Sequence, residues 1–328
     1  MRNIVVTGGA GYIGSHVVKA LLADPKNHVV VIDNLSTGFV ENVGAATFIQ
    51  GDIQNTQLLA TIFAKEKINV VMHFAASTVL SESIQFPLRY YQNNVLGTLS
   101  LLQVCQDHPI EHFILSSSAA VYGATEVEHI HEDHPTLPLN PYAASKLMSE
   151  QIVTDVAQSL GFTYAILRYF NVAGADPDGK LGQRTPQATH LIKNAVQTAC
   201  GLHSALPIYG NDYATPDGTC IRDYIHVNDL ASAHLKALDY LTASGRSVTL
   251  NCGYGHGFSV IEVIKAIEQL TGRSLPIKQA PRRQGDLAQV IADNTRIKSI
   301  LDWQPQFNDL AFIVKTALDF EVKIRSIS

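Results

Sequence analysis

Tyr142 and Lys146 stand four residues apart in Asn140-Pro141-Tyr142-Ala143-Ala144-Ser145-Lys146. Asn140 is a good helix N-cap residue, and a proline suits the first turn that follows. Helical i, i+4 spacing puts the phenol and the ammonium on one face. A cation beside a phenol favours the phenolate, so a tyrosine that ordinarily titrates near ~10 can act as acid and base near neutral pH. An exposed helix pair is the plainer reading of Y-x-x-x-K, which is common by chance. Ser116-Ser117-Ser118 ends an apolar run, and Ser118 is the candidate partner at the oxygen on which Tyr142 works.

A second constellation explains what that acid–base pair could serve. Thr7-Gly8-Gly9-Ala10-Gly11-Tyr12-Ile13-Gly14 follows a strand pattern and opens a helix pattern. Gly8, Gly11 and Gly14 give a tight turn, close backbone approach to a diphosphate and tight helix–strand packing. The helix N-terminus adds free N–H groups and a positive dipole end. Asp33 closes the second strand pattern, where a carboxylate accepts from ribose hydroxyls. It would repel an extra ribose phosphate, and no arginine lies between Arg2 and Arg89 to offset it. The expected cofactor is NAD. Asp33-Asn34 is also a good turn pair, and Asp52-Ile53 reads equally as an adenine-edge contact or a turn carboxylate.

Arg222 and the pair Arg282-Arg283 could clamp a diphosphate with their forked donors, or simply pair with Asp223 and Asp286. His129, His131 and His134 lie in a polar loop with no matching ligand cluster elsewhere, so no metal site is expected.

These residues need a scaffold, and the first half provides its pattern. Short β-branched runs at 3–7, 28–32, 47–50, 70–73, 113–116 and 163–167 alternate with helical patterns at 13–23, 56–65, 88–106 and 141–160. That alternation predicts an α/β, Rossmann-type, doubly wound parallel sheet. A smaller mixed α/β lobe follows a loop rich in Gly, Asp and Pro at 174–182, with helices expected at 188–200, 229–241, 260–270 and 295–301. The expected division is 1–172 for the cofactor and 173–328 mainly for substrate, with segments near 220–252 returning to the first unit. Ser259 and Gly272 are expected to cap the 260–270 helix.

A net charge of −5 provides no basic footprint for nucleic acid or an anionic membrane. No signal segment or membrane span is expected, and four scattered cysteines suggest reduced thiols in the cytoplasm.

With these residues laid out, the chain resembles the extended short-chain dehydrogenase/reductase family, and within it the nucleotide-sugar 4-epimerases. The resemblance rests on TGGAGYIGSH (7–16), IDNLS (32–36), GDI (51–53), HFAA (73–76), YYQNNVLGT (90–98), SSSAAVYG (116–123), PYAASKLMSEQI (141–152), LRYFNVAGA (167–175), the block at 209–231 and APRRQGDL (280–287). It implies inversion of C4 in UDP-glucose and UDP-galactose through a transient 4-keto sugar, with NAD bound and no net redox change. It implies that Lys146 holds the cofactor ribose, and that Tyr12, Ile13, Asp33, Asn34, Asp52, Ile53, Phe74, Ala75, Asn93 and Tyr169 line the cofactor site. Arg222 and Arg283 would hold the substrate diphosphate, Asn171 a phosphate oxygen and Asp286 a ribose hydroxyl. His190, Leu191, Tyr209 and Val290 would complete the substrate side. Family members pair as homodimers, here through helices near 88–106 and 141–160.

The 4,6-dehydratases carry an Asp-Glu pair where this chain has Ala119 and Ala120, which argues against dehydration. Thr78 replaces a lysine found near the nicotinamide in some epimerases, and His190 an asparagine. Val290, where glucose-specific members carry a tyrosine, leaves room for an N-acetyl group. UDP-uronates and UDP-pentoses are alternative substrates. A catalytically silent NAD-binding regulator would be expected to lack Tyr142 or Lys146, and both are present.

Overall fold

A computed structural model describes residues 2–125, 127–185, 188–283 and 285–326. Gln284 of the 280–287 motif lies outside them. Six strands alternate with helices through the first half: β1 (Arg2–Thr7), α1 (Tyr12–Leu21), β2 (Asn27–Asp33), β3 (Thr47–Gln50), α2 (Thr56–Glu66), β4 (Val70–His73), α3 (Leu80–Gln85), α4 (Pro87–Tyr90), α5 (Gly97–Asp107), β5 (His112–Ser118), α6 (Pro141–Leu160) and β6 (Thr163–Tyr169). The second half adds β7 (Asn171–Ala173), α7 (Leu191–Ala199), β8 (Leu206–Tyr209), β9 (Ile221–Arg222), β10 (Tyr224–His226), α8 (Val227–Ser244), β11 (Val248–Cys252), β12 (Phe258–Ser259), α9 (Val260–Thr271), β13 (Ile277–Ala280), β14 (Gln289–Val290), α10 (Thr295–Leu301) and α11 (Leu310–Ser326).

The main sheet has seven parallel strands in the order β11-β6-β5-β4-β1-β2-β3. Its strands are apolar on both faces, as a sheet covered on both sides requires. Ile4, Val6, Val29 and Val31 join α1 and α8 in one core; Val5, Val30 and Ile32 join α2, α5 and α6 in the other. Strand order reverses between β1 and β4, and open α/β sheets bind ligands at that switch point. Strand β11 comes from the second half yet pairs with β6, and α8 packs on α1. Smaller sheets, β12-β9-β14, β13-β8 and β10-β7, belong to the second half. Tyr12 donates to Gly174 O at 2.7 Å, Lys19 pairs with Asp176 at 2.7 Å and Arg184 lies 3.8 Å over Phe39, tying the halves together.

Local chemistry agrees with the sequence at several helix ends. Asn140 accepts from Ala143 N at 2.9 Å, and Ser259 with Glu262 forms a reciprocal capping box. Gly272 ends α9 at φ +66°. The expected continuous helix at 88–106 is different: between α4 and α5, Tyr91–Leu96 widens into a π-helical turn. There the Asn94 amide takes the Ser77 N–H at 2.7 Å and donates to Ser77 O and Ser145 Oγ. Such turns often mark functional sites. Helices α3 and α11 were not expected. Among the described residues no helix is long and apolar enough to cross a membrane.

Burial has a consequence for pH. His16 and His234 are lowered to about 4, and His73 and His226 to about 3, chiefly by desolvation. The native state therefore binds fewer protons than the unfolded chain below the ordinary histidine value, so these groups' contribution to stability is lost as pH falls from there toward 4. Asp33 and Asp223 are raised by burial and work in the opposite sense, but they are fewer. Thermal melts should show Tm falling by about 5–10 °C between about pH 7 and about pH 5; a flat profile would mean that these imidazoles are protonated or exposed.

Candidate active site

The carboxyl ends of β1, β2, β4, β5 and β6 open onto one cavity of about 680 Å³, completed by residues from the second half. The glycine turn lines one end. Gly8 has φ +71°, and a Cβ there would sit 2.6 Å from Ala75 N; a Cβ on Gly14 would sit 2.3 Å from Gly8 O. Both positions are closed to a side chain. Gly11 caps α1 without a side-chain acceptor, leaving the first-turn N–H groups directed to a ligand. This donor-rich cradle fits a dinucleotide diphosphate.

Asp33 supports the turn from below: Oδ2 accepts from Ala10 N at 3.0 Å and Oδ1 from Leu35 N at 2.8 Å. Asn34, Ile53, Phe74, Ala75 and Asn93 line the cavity beside Tyr12 and Ile13. Asp52, between the lining residues Gly51 and Ile53, accepts from Gln54 N at 2.9 Å and from Asn34 Nδ2 at 3.2 Å.

On the opposite side, Ser118 is the side chain near enough to act on the Tyr142 phenol, and both line the cavity. Ser118 Oγ accepts from Ala120 N at 3.2 Å, so its own proton is available to the phenol oxygen. Lys146 is buried and its Nζ donates to Ser116 O at 2.8 Å. Its charge does not produce the expected lowering of Tyr142: burial raises that phenol above its ordinary value, and only Ser118 pulls it down. Lys146 itself is lowered to about 8 by burial, against the nearby Glu150 carboxylate. Tyr169 is the other phenol here. His234 Nδ1 faces Leu230 O at 2.8 Å, which leaves Nε2 to accept the Tyr169 proton at 2.5 Å. Burial holds Tyr169 well above its ordinary range, and its proton is already committed to His234.

The remaining expected residues meet at the far end. Arg222 Nη1 donates to Ile221 O and Leu287 O, with Nη2 3.6 Å from Asp286; it does not pair with Asp223. Asp223 instead accepts backbone N–H groups of Tyr254, Gly255 and Ala292. Arg283 lies 3.8 Å over the Tyr209 ring, whereas Arg282 turns out to Asp212 at 2.7 Å. Asn171, His190, Leu191 and half-buried Val290 also line this end. His190 is kept neutral by burial, and Gln183 Nε2 donates to its Nδ1 at 3.0 Å.

Several neighbours had no local signal in the sequence. Tyr90 donates to Val79 O at 2.6 Å and meets Tyr142 edge-on at 6.4 Å, while Glu82 lines the wall. Lys193 joins Gln183 O to Glu321 of α11. These contacts join residues distant in sequence. Among the described residues, no group of three His, Cys, Asp or Glu is gathered for a metal.

The family model described as GDP-mannose 4,6 dehydratase matches residues 5–314. The UDP-glucose 4-epimerase of Azospirillum brasilense is 50% identical over 320 residues, 97% of this chain and 92% of that protein. The crystal structure of UDP-glucose-4-epimerase from Stenotrophomonas maltophila with bound NAD and formylated UDP-arabinopyranose superposes with a TM-score of 0.96, at 36% identity and full coverage of both chains. The UDP-Glc/GlcNAc 4-epimerase from Campylobacter jejuni superposes with a TM-score of 0.87 at 44% identity, covering 98% of this chain and 100% of that one. With such identity along nearly its whole length, the chain belongs to the NAD-dependent epimerase/dehydratase family, on its UDP-glucose 4-epimerase branch.

Proposed function

We propose that the chain interconverts UDP-glucose and UDP-galactose by inverting C4, with NAD resident at the glycine turn. The observation that carries this reading is the Tyr142–Ser118 pair, in one cavity with a diphosphate cradle at one end and two arginines at the other. When bound, NAD supplies a reversible hydride acceptor and a positive ring. The Gly8–Gly14 turn would hold its diphosphate, Asp33 one ribose and buried Lys146 the other. Tyr142 removes the proton of the 4-hydroxyl while Ser118 donates to the same oxygen. The 4-keto sugar turns about its bond to the diphosphate, and Tyr142 returns the proton with the other face presented. Arg222 and Arg283 hold that diphosphate through the turn, with Asn171 and Asp286 assigned to a phosphate oxygen and a ribose hydroxyl. Ala119 and Ala120 supply no acid or base for dehydration.

The cofactor unit in this reading is 1–172 together with segments near 220–252, and the rest forms the substrate lobe. Pairing as a homodimer is supported by exposed Ile84, Leu88 and Met148 on α3, α4 and α6. Val290 on the cavity wall supports a broader substrate range, because valine leaves space beside the sugar that a tyrosine would fill.

Incubation with UDP-galactose and no added reductant should give UDP-glucose; unchanged substrate with NAD bound would revive a silent regulator. Tyr142→Phe should retain NAD and lose turnover by about 10²–10⁴-fold, and near-normal rates would remove the phenol from its role. Gly14→Ala should retain NAD at least about tenfold more weakly, measured as nucleotide released on denaturation. UDP-GlcNAc should be turned over as well as UDP-glucose; activity on the latter alone would reject the assignment of Val290.

A further inference from the structure

Helix α6 does not end its ladder at Lys146. Glu150 follows at the next i+4 position and is buried on the same side of the helix. Its carboxylate accepts from Ser117 Oγ, from Arg168 Nε at 3.0 Å and from Arg168 Nη2 at 2.7 Å. Arg168 completes its donors with Tyr122 Oη at 2.9 Å and Glu132 O at 3.3 Å. The plainer interpretation is a buried ion pair that merely holds α6 to β6. Ser117 argues for more. It lies between Ser116, whose carbonyl receives Lys146, and Ser118, the side chain that acts on Tyr142. One carboxylate thus grips the middle residue of the strand end that carries both contacts.

We propose that Glu150 is a positioning residue for the acid–base pair: buried one turn beyond Lys146 on the same face of α6, it bonds Ser117 and so fixes the end of β5 that offers the Ser116 carbonyl to Lys146 and Ser118 to the site. What its carboxylate leaves over from Arg168 also favours the ammonium form of Lys146. The proposal rests on the functional reading of Tyr142 given above. The groups facing Lys146 leave this task to Glu150. From α6 itself come Tyr142 and Glu150. From β4 comes His73, held neutral by burial and by the lysine charge. From β5 comes the Ser116 carbonyl. From β6 come Tyr169, engaged with His234, and Arg168, whose charge is matched by Glu150. Burial pushes Lys146 toward its neutral form, and the Glu150 carboxylate is the group that opposes it.

The test compares Glu150→Gln and the double variant Glu150→Gln/Arg168→Met with wild type, following UDP-galactose turnover across the neutral-to-alkaline range. The double variant leaves no unpaired buried charge, so it separates the carboxylate's effect on Lys146 from its service to Arg168. Expected in both is an alkaline limb of kcat moved down by about one pH unit, a tenfold loss of charged lysine at fixed alkaline pH. KM for UDP-galactose should stay within about twofold, because a remote group acting through Lys146 changes the reacting step rather than substrate binding. A folded double variant, judged by circular dichroism, with the wild-type limb would overturn the proposal and leave Glu150 as the arginine's counter-ion. Loss of folding in both variants would likewise assign it to the scaffold. Wild-type turnover with unshifted variants sinks the proposal alone; a wild type without turnover sinks the functional reading and the proposal together.

Discussion

Helix α6 lies against β5 and β6 with three ionisable side chains turned to the same buried seam. Tyr142 meets Ser118, Lys146 meets the Ser116 carbonyl, and Glu150 meets Ser117 and Arg168. Each contact fixes both the height and the rotation of the helix on the sheet. A slip of one residue along the helix would turn all three away together, because they share one stripe of its surface. The phenol is therefore aimed by a set of mutually consistent bonds rather than by its own rotamer alone.

Burying charge along this seam is costly, and the structure meets the cost by pairing. Arg168 and Glu150 form a two-pronged pair with both side chains nearly sealed from water, and Lys193 and Glu321 make a similar contact in the second half. Buried pairs of this kind contribute little net stability, but removing one partner strands the other in a medium that solvates it badly. The site consequently combines a rigid frame with poised acid–base groups. Tyr142 and Lys146 are displaced in opposite directions by the same desolvation, which weakens the phenol as an acid and brings the ammonium closer to neutrality.

The sheet was legible because buried parallel strands write themselves as continuous β-branched runs, and the glycines because steric closure leaves no other residue at 8 and 14. Asn140 and Ser259 were visible as caps for a local reason: each bonds within its own turn. Asp52 reads either way in sequence, and its local bond to Gln54 N is of the turn kind that sequence can show. What stayed hidden depends on distant partners. Asn94 opens the helix at 91–96 because Ser77 and Ser145 receive its amide, and neither is a sequence neighbour. Glu150 looks like an ordinary surface helix residue until β6 brings Arg168 beside it. Spacing reveals the cation beside Tyr142 but not the depth of burial that, without cofactor, raises the phenol. Helix α11 had a readable apolar period and an Asp309 cap, so its omission reflects no physical obstacle.

Strand β11 carries a different implication. It leaves the second half and shields the edge of β6, and α8 lies across α1 on its way there. A fragment stopped after 172 would present β6 as a raw sheet border, a template for association with other chains. The polypeptide is sewn through both halves, so neither can be excised as a transplantable module. Melting should accordingly proceed as one cooperative event, and recombination with a related chain would have to preserve this stitch.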